Sequence, residues 1–225
     1  MDDHLRELER RARETGAPAD EGAWLAERVR AGLLGRERLE LAAFCAHPGA
    51  CAALGVAPPL PVRDPGALEA WSAALLERWP DVYLRAVVAG RRCVLAASRT
   101  STDRTVEALF RGVAAGEAAR EEALLRLVER WLDDPEDGRL RRIWEEAPLG
   151  DALGEHALVL AQGRSAFARE ALAGLVEPVA GWRRTRLVEA LVRHVRHRAF
   201  ATPEQASERL HAAAAAALVR WALGA

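Results

Sequence analysis

Apolar residues recur every three or four positions through most of this chain of 225 residues, which is the spacing of one buried face of an α-helix. In one clear example, Leu68, Trp71 and Leu75 share such a face. The pattern and its turns predict helices at about 3–14, 22–33, 36–45, 47–55, 64–79, 80–98, 103–115, 117–132, 136–147, 150–162, 165–176, 182–200 and 203–223. We therefore expect an all-α fold of about twelve short helices.

The clearest break in this pattern is the segment VAPPLPVRD at 56–64. Its three prolines lack a backbone donor and disfavour helix in the residues before them. Asp64 and Pro65 then suit the N-cap and the first position of a new helix. The break predicts an N-terminal helical unit, residues 1–58, and a main helical domain, residues 64–225, with one continuous domain as the alternative.

Most of the predicted helices are joined by short turns, and the last one opens with a capping box at 202–205. Short turns favour antiparallel neighbours, so we expect stacked helical hairpins, either as a HEAT- or TPR-like solenoid or as a compact helical bundle. The stretches AWLAERVRAGLLGRERLELAAFCAHPGACAALG (23–55) and RWPDVYLRAVVAGRRC (78–93) resemble uncharacterised HEAT- or armadillo-like helical proteins of high-GC bacteria. That resemblance implies a fold class and carries no functional residue.

Composition excludes several kinds of chemistry. All 32 basic residues are arginine, so a Walker-type phosphate loop and Schiff-base catalysis both lack their lysine, and we predict no cofactor. The net charge of −1 gives no overall attraction to nucleic acid or to an acidic membrane. Three cysteines, a charged N-terminus and the lack of a long apolar run favour a cytoplasmic protein that does not enter a membrane.

Two groups of residues have the types that bind metals: Cys45, His47 and Cys51, and Glu189, His194 and His197. The first group has three ligands where a structural zinc site needs four, and its cysteines suit a helical core. In the second, the two histidines are three apart, whereas the HExxH motif places them four apart. We expect structural roles for both groups and no bound metal.

Residues 181–200 are the most basic part of the chain, with six arginines and one acidic residue. The candidate interaction residues are Arg183, Arg186, Arg193, Arg196 and His197. Arginine binds carboxylates and phosphates equally well, so this segment could bind an acidic protein or nucleic acid. It could instead pack beside the protein's own acidic helices at 117–151, which we favour over nucleic acid because no aromatic residues are interleaved.

No pattern of nucleophile, general base or glycine-rich phosphate loop is present in the sequence. The hypothesis that fits best is a protein–protein interaction module or adaptor with no catalytic activity, whose partner is another protein with an acidic surface. Two alternatives remain. One is a nucleic-acid-associated factor that uses the helix at 182–200, and the other is an enzyme whose site is assembled from distant residues.

Overall fold

The computed structural model describes residues 3–100, 104–147, 152–161, 165–174, 188–196 and 200–224. Its helices are α1 (Asp3–Thr15), α2 (Pro18–Arg30), α3 (Arg36–Phe44), α4 (Pro48–Leu54), α5 (Pro65–Arg78), α6 (Pro80–Thr100), α7 (Arg104–Asp133), α8 (Asp137–Glu146), α9 (Ala152–Ala161), α10 (Ala166–Gly174) and α11 (Pro203–Leu223). A helical segment at 188–192 continues into a 3₁₀ turn at Arg193–Arg196. No strand occurs in these ranges, so the all-α prediction is confirmed.

The chain divides into two compact units. Unit 1 comprises Met1–Pro61 together with Ala215–Ala225, and unit 2 comprises Val62–Ala214. The division falls within the proline-containing segment at 56–64. The last nine residues of α11 are grouped with the N-terminal helices, although the sequence pattern places them in the second domain. An apolar face at the end of a chain does not show which distant helices will cover it.

Unit 1 is built around a close contact between α2 and α4. A Cβ on Gly22 would lie 2.9 Å from the backbone nitrogen of Ala53 and 3.0 Å from the carbonyl oxygen of Gly49. Glycine at this position therefore allows the two helix backbones to approach. α1 packs on α2 and α3 packs on α4, with Leu25 and Leu41 almost completely buried.

In unit 2, each helix from α5 to α10 contacts the next one along the chain, and α6 also contacts α9. Contacts between successive helices are those of helical hairpins, while the choice between solenoid and bundle stays a prediction. The largest fully buried side chains of this unit include Tyr83, Trp131 and Ile143. Burial of such side chains contributes about 1.5–3 kcal/mol each, so they form the main apolar core of unit 2.

Two sequence predictions about this unit are wrong. Helix α7 continues through Gly116, where a break between 103–115 and 117–132 is expected from the sequence. One interior glycine costs a helix only about 1 kcal/mol relative to alanine, and the alanine and glutamate residues around it favour helix. Helix α6 also extends to Thr100, into the predicted loop at 98–103.

Candidate interaction surfaces

The arginine-rich segment at 181–200 is only partly within the described residues. Arg183, Arg186 and His197 lie outside them. Arg193 is exposed in the 3₁₀ turn, and Arg196 ends the same turn. α-Helical geometry ends at residue 192 and a 3₁₀ helix continues to Arg196, so within the described residues the predicted helix at 182–200 is present but tightens at its end.

The apolar face of this segment packs against other residues of unit 2. Leu191 is completely buried, and its Cδ1 atom lies 2.3 Å from where a Cβ on Gly90 would be. The carbonyl oxygen of Val188 accepts hydrogen bonds from the Tyr83 hydroxyl at 3.3 Å and the Ser72 hydroxyl at 3.4 Å. These two hydroxyls are 2.7 Å apart, and burial raises the pKa of Tyr83 well above its usual value. The predicted apolar inner face is therefore present, with Arg193 on the outside.

The acidic side chains of α7 already have arginine partners on α6. Arg91 holds Glu121 through two bonds, from Nε to Oε1 at 2.5 Å and from Nη2 to Oε2 at 2.7 Å. Arg92 pairs with Glu129 and Glu122. A third arginine of α6, Arg85, lies 2.9 Å from Asp133. The acidic helix α7 is thus neutralised largely from α6, which sequence reasoning missed because it considered only the arginines at 181–200.

The candidate metal residues Cys45, His47 and Cys51 have structural roles in unit 1. Both cysteines are buried, and burial raises the pKa of Cys45 to about 12 and that of Cys51 in the same direction. His47 is the N-cap of α4, because its Nδ1 accepts a hydrogen bond of 3.2 Å from the backbone N–H of Ala50. Its Nε2 lies 3.6 Å from Oε1 of Glu21. His47 is therefore engaged as a helix cap beside a carboxylate.

The second candidate metal group is less fully described. Glu189 is exposed, whereas the side chains of His194 and His197 lie outside the described part of the structure. Across the residues that are described, no three His, Cys, Asp or Glu side chains come together in a way that could hold a metal ion.

A surface that the sequence did not indicate lies on unit 1, where arginines stack on half-buried tryptophans. The guanidinium of Arg28 on α2 lies 4.9 Å from the ring centroid of Trp24. The guanidinium of Arg38 on α3 lies 4.6 Å from the ring centroid of Trp221 on α11. Arg28 also donates a hydrogen bond of 3.1 Å to the carbonyl oxygen of Leu223. We call these five residues the Trp–Arg surface.

An exposed leucine lies close in sequence to two helices of the Trp–Arg surface. Leu33, in the turn between α2 and α3, is 57% exposed, although a leucine is usually buried. Its backbone N–H donates to the carbonyl oxygen of Arg28 at 2.9 Å, which fixes the turn against the end of α2. Tryptophan, arginine and an exposed leucine together have the composition of an interface core rather than of ordinary surface.

Comparisons of the chain with protein-family models, curated proteins and solved structures find no match. In the ranges that the structure covers, no helix has both the length and the apolar character to cross a membrane.

Proposed function

We propose that this chain is a protein–protein interaction module with no catalytic activity of its own. The observation that carries the proposal is the Trp–Arg surface. Tryptophan and arginine are the residue types that most often dominate binding energy at protein interfaces. Here they come from three helices and are already fixed against one another, so less side-chain entropy is lost when a partner binds.

The partner that suits this surface carries carboxylates. A guanidinium stacked on an indole ring uses its flat face for the ring, and its N–H groups point along its edge. Arg38 is exposed, so its edge can form two parallel hydrogen bonds with a carboxylate.

The chemistry of the cysteines supports a reducing compartment for this interaction. Cys45, Cys51 and Cys93 are all free thiols. Secreted domains usually pair their cysteines, whereas the cytoplasm keeps them reduced. We therefore propose that the partner is met in the cytoplasm.

The test is affinity purification of the tagged full-length chain from its source organism, with nuclease treatment and quantitative mass spectrometry. Wild type is compared with Arg38→Glu and with Arg36→Glu as a matched control. Both residues are exposed on α3, but Arg36 pairs with Glu40 of its own helix at 3.0 Å instead of stacking on a tryptophan. We expect one or a few proteins that survive nuclease, persist with Arg36→Glu and are lost with Arg38→Glu.

Two results would contradict the proposal. The first is that the proteins recovered are the same for both variants, which would mean that the Trp–Arg surface only packs the end of α11. The second is that everything recovered is lost on nuclease treatment, which would favour the nucleic-acid alternative and its strong dependence on salt.

A further inference from the structure

The segment between α4 and α5, residues 56–63, is stiff and exposed, and neither the core nor the Trp–Arg surface accounts for it. Every residue from 56 to 61 is exposed, and Leu60 is 90% exposed, the highest value among the large apolar residues of the described chain. No helix or strand is formed there. A flexible surface loop would normally have glycine, serine or aspartate at such positions.

Proline fixes the backbone of this segment without any partner. Pro58, Pro59 and Pro61 each have φ near −65°. Ala57, Pro58 and Leu60 each precede a proline, which disfavours helical geometry in them and favours polyproline II. Each of the five residues from 57 to 61 is therefore restricted in its backbone, either as a proline or as the residue before one, and the segment favours an extended conformation.

Both ends of the segment are also fixed. Helix α4 ends at Gly55 with φ of 64°, and the N–H of Val56 donates to the carbonyl oxygen of Cys51 at 3.0 Å. At the other end, Asp64 caps α5 by accepting a hydrogen bond of 2.9 Å from the N–H of Ala67. The segment is therefore presented as a short rod instead of a loose loop.

A polyproline II helix has three residues per turn, so residues three apart lie along the same edge. One edge of the segment contains Pro58 and Pro61, and all of its residues are exposed. A second edge contains Leu60 and Arg63, which are also exposed. The third edge contains Val56 and Pro59, which are exposed, and Val62, which is 6% exposed, so the segment turns into the protein at Val62.

We propose that residues 57–63 are a ligand for a partner protein domain that binds polyproline II helices in an aromatic-lined groove. Two prolines separated by two residues on one exposed edge are what such grooves recognise. Arg63 lies two residues beyond Pro61 and adds a positive charge, so the groove should have an acidic residue beside it. This proposal rests on the proposed function in supposing a protein partner, and it names a second contact and a class of domain.

The test is photo-crosslinking in the source organism with p-benzoylphenylalanine in place of Val56 in the full-length chain. Val56 is 50% exposed and directly precedes the proposed ligand, so the probe is close to the groove without replacing any of residues 57–63. The variants are Pro58→Ala with Pro61→Ala, and Arg63→Glu. Pro59→Ala is the matched control, because Pro59 is exposed like Pro58 and Pro61 but is not one of the two prolines spaced three apart. Circular dichroism checks that each chain is folded.

We expect a crosslinked protein. Its yield should fall about tenfold in the Pro58→Ala, Pro61→Ala chain and in the Arg63→Glu chain, as for the loss of one main binding residue. The crosslink should persist with Pro59→Ala. A synthetic peptide of residues 55–64 should compete, and the same peptide with alanine at 58 and 61 should not. Peptide mapping should place the crosslink in a groove lined by aromatic residues.

A crosslink that is absent, independent of the two prolines or located elsewhere in the partner would overturn this inference. The same probe at Leu33 reports separately on the Trp–Arg surface. A crosslink from Leu33 without one from Val56 would overturn the inference and leave the proposed function standing. A proline-dependent crosslink from Val56 alone would support the inference and count against the Trp–Arg surface.

Discussion

Two pairs of arginines, one pair in each unit, have different roles. In unit 2, Arg91 and Arg92 face acidic side chains of α7, and their charges are neutralised in half-buried ion pairs. In unit 1, Arg28 and Arg38 lie on tryptophan rings, which attract the cation without neutralising it. The first arrangement joins two helices of the same chain. The second keeps a positive charge and its donors at the surface, where a partner can use them.

This difference changes which arginines should matter for binding. A run of arginines in a sequence, such as that at 181–200, shows where charge is concentrated. It does not show whether each charge already has a partner. In this chain the contacts of each guanidinium give that information, and for Arg38 the contact is a tryptophan ring.

The largest effect on folding is expected from Arg91→Ala. This change removes a two-bond contact and leaves Glu121 as a half-buried charge without its partner. We expect the free energy of unfolding to fall by about 1–3 kcal/mol, the usual cost of such a group. The measurement is chemical denaturation. Arg38→Ala is the comparison and should cost less than about 1 kcal/mol, as for an exposed stacked arginine. Equal losses would remove the distinction between the ion-paired arginine and the arginine stacked on tryptophan.

A smaller loss is expected from Tyr83→Phe, which keeps the buried ring and removes its hydroxyl. The hydroxyl contacts Ser72 at 2.7 Å and the carbonyl oxygen of Val188 at 3.3 Å. We expect unfolding to become easier by about 1 kcal/mol, the net value of a hydrogen bond. Amide hydrogen exchange should also show faster exchange at residues 188–192. An unchanged exchange rate there would mean that the hydroxyl does not hold the arginine-rich segment in place.

A gain in stability is expected from Gly116→Ala in α7, the helix that carries the acidic partners of unit 2. A Cβ at this position meets no atom within 4 Å, and the helix is continuous there. Alanine should therefore stabilise the protein by about 0.5–1 kcal/mol. A thermal melt of the two chains measures the difference. Destabilisation would instead support the break at Gly116 that the sequence suggested.

The smallest effect concerns pH and His211, whose ring lies edge-on to Trp71 with 4.7 Å between the centroids. Burial lowers the pKa of His211 in the folded protein. As the pH falls below about 6.5, the usual pKa of histidine, the unfolded chain therefore binds a proton more readily than the folded chain does. The free energy of unfolding should fall as the pH falls from about 7 to about 5. His211→Phe should reduce that decrease, as measured by denaturation at both pH values. An identical decrease in the two chains would contradict this account.

Much of the local structure could be predicted from the sequence because helix ends are encoded in a few neighbouring residues. The caps at Asp64 and Gly55 are present as expected. In the capping box at 202–205, the N–H of Gln205 donates to Thr202 Oγ1 at 3.2 Å, and its side chain accepts from the N–H of Ala201 at 2.9 Å. Gly116 shows the limit of such signals, since one glycine does not outweigh the good helix formers beside it.

The Trp–Arg surface could not be predicted in the same way. Trp24 and Arg28 are four residues apart on α2, but Arg38 and Trp221 are far apart in sequence and meet only because the end of α11 belongs to unit 1. Helical spacing shows that each tryptophan lies on an apolar face, but it gives no information about which helix covers that face. The arginine-rich segment could be identified from the sequence because its residues are close together along the chain. Its role in binding stays a prediction.

The most direct test of the central claim is the affinity of the purified partner, once identified, for four full-length chains measured by calorimetry. They are wild type, Arg38→Glu, Arg36→Glu, and a triple variant with glutamate at 186, 193 and 196. We predict that Arg38→Glu weakens binding about 30-fold, the equivalent of the roughly 2 kcal/mol that defines an interface hot spot. Arg36→Glu should change it less than about threefold. Equal affinity of the Arg38→Glu and Arg36→Glu chains, with binding lost only in the triple variant, would contradict the account and place the interaction on the arginine-rich segment.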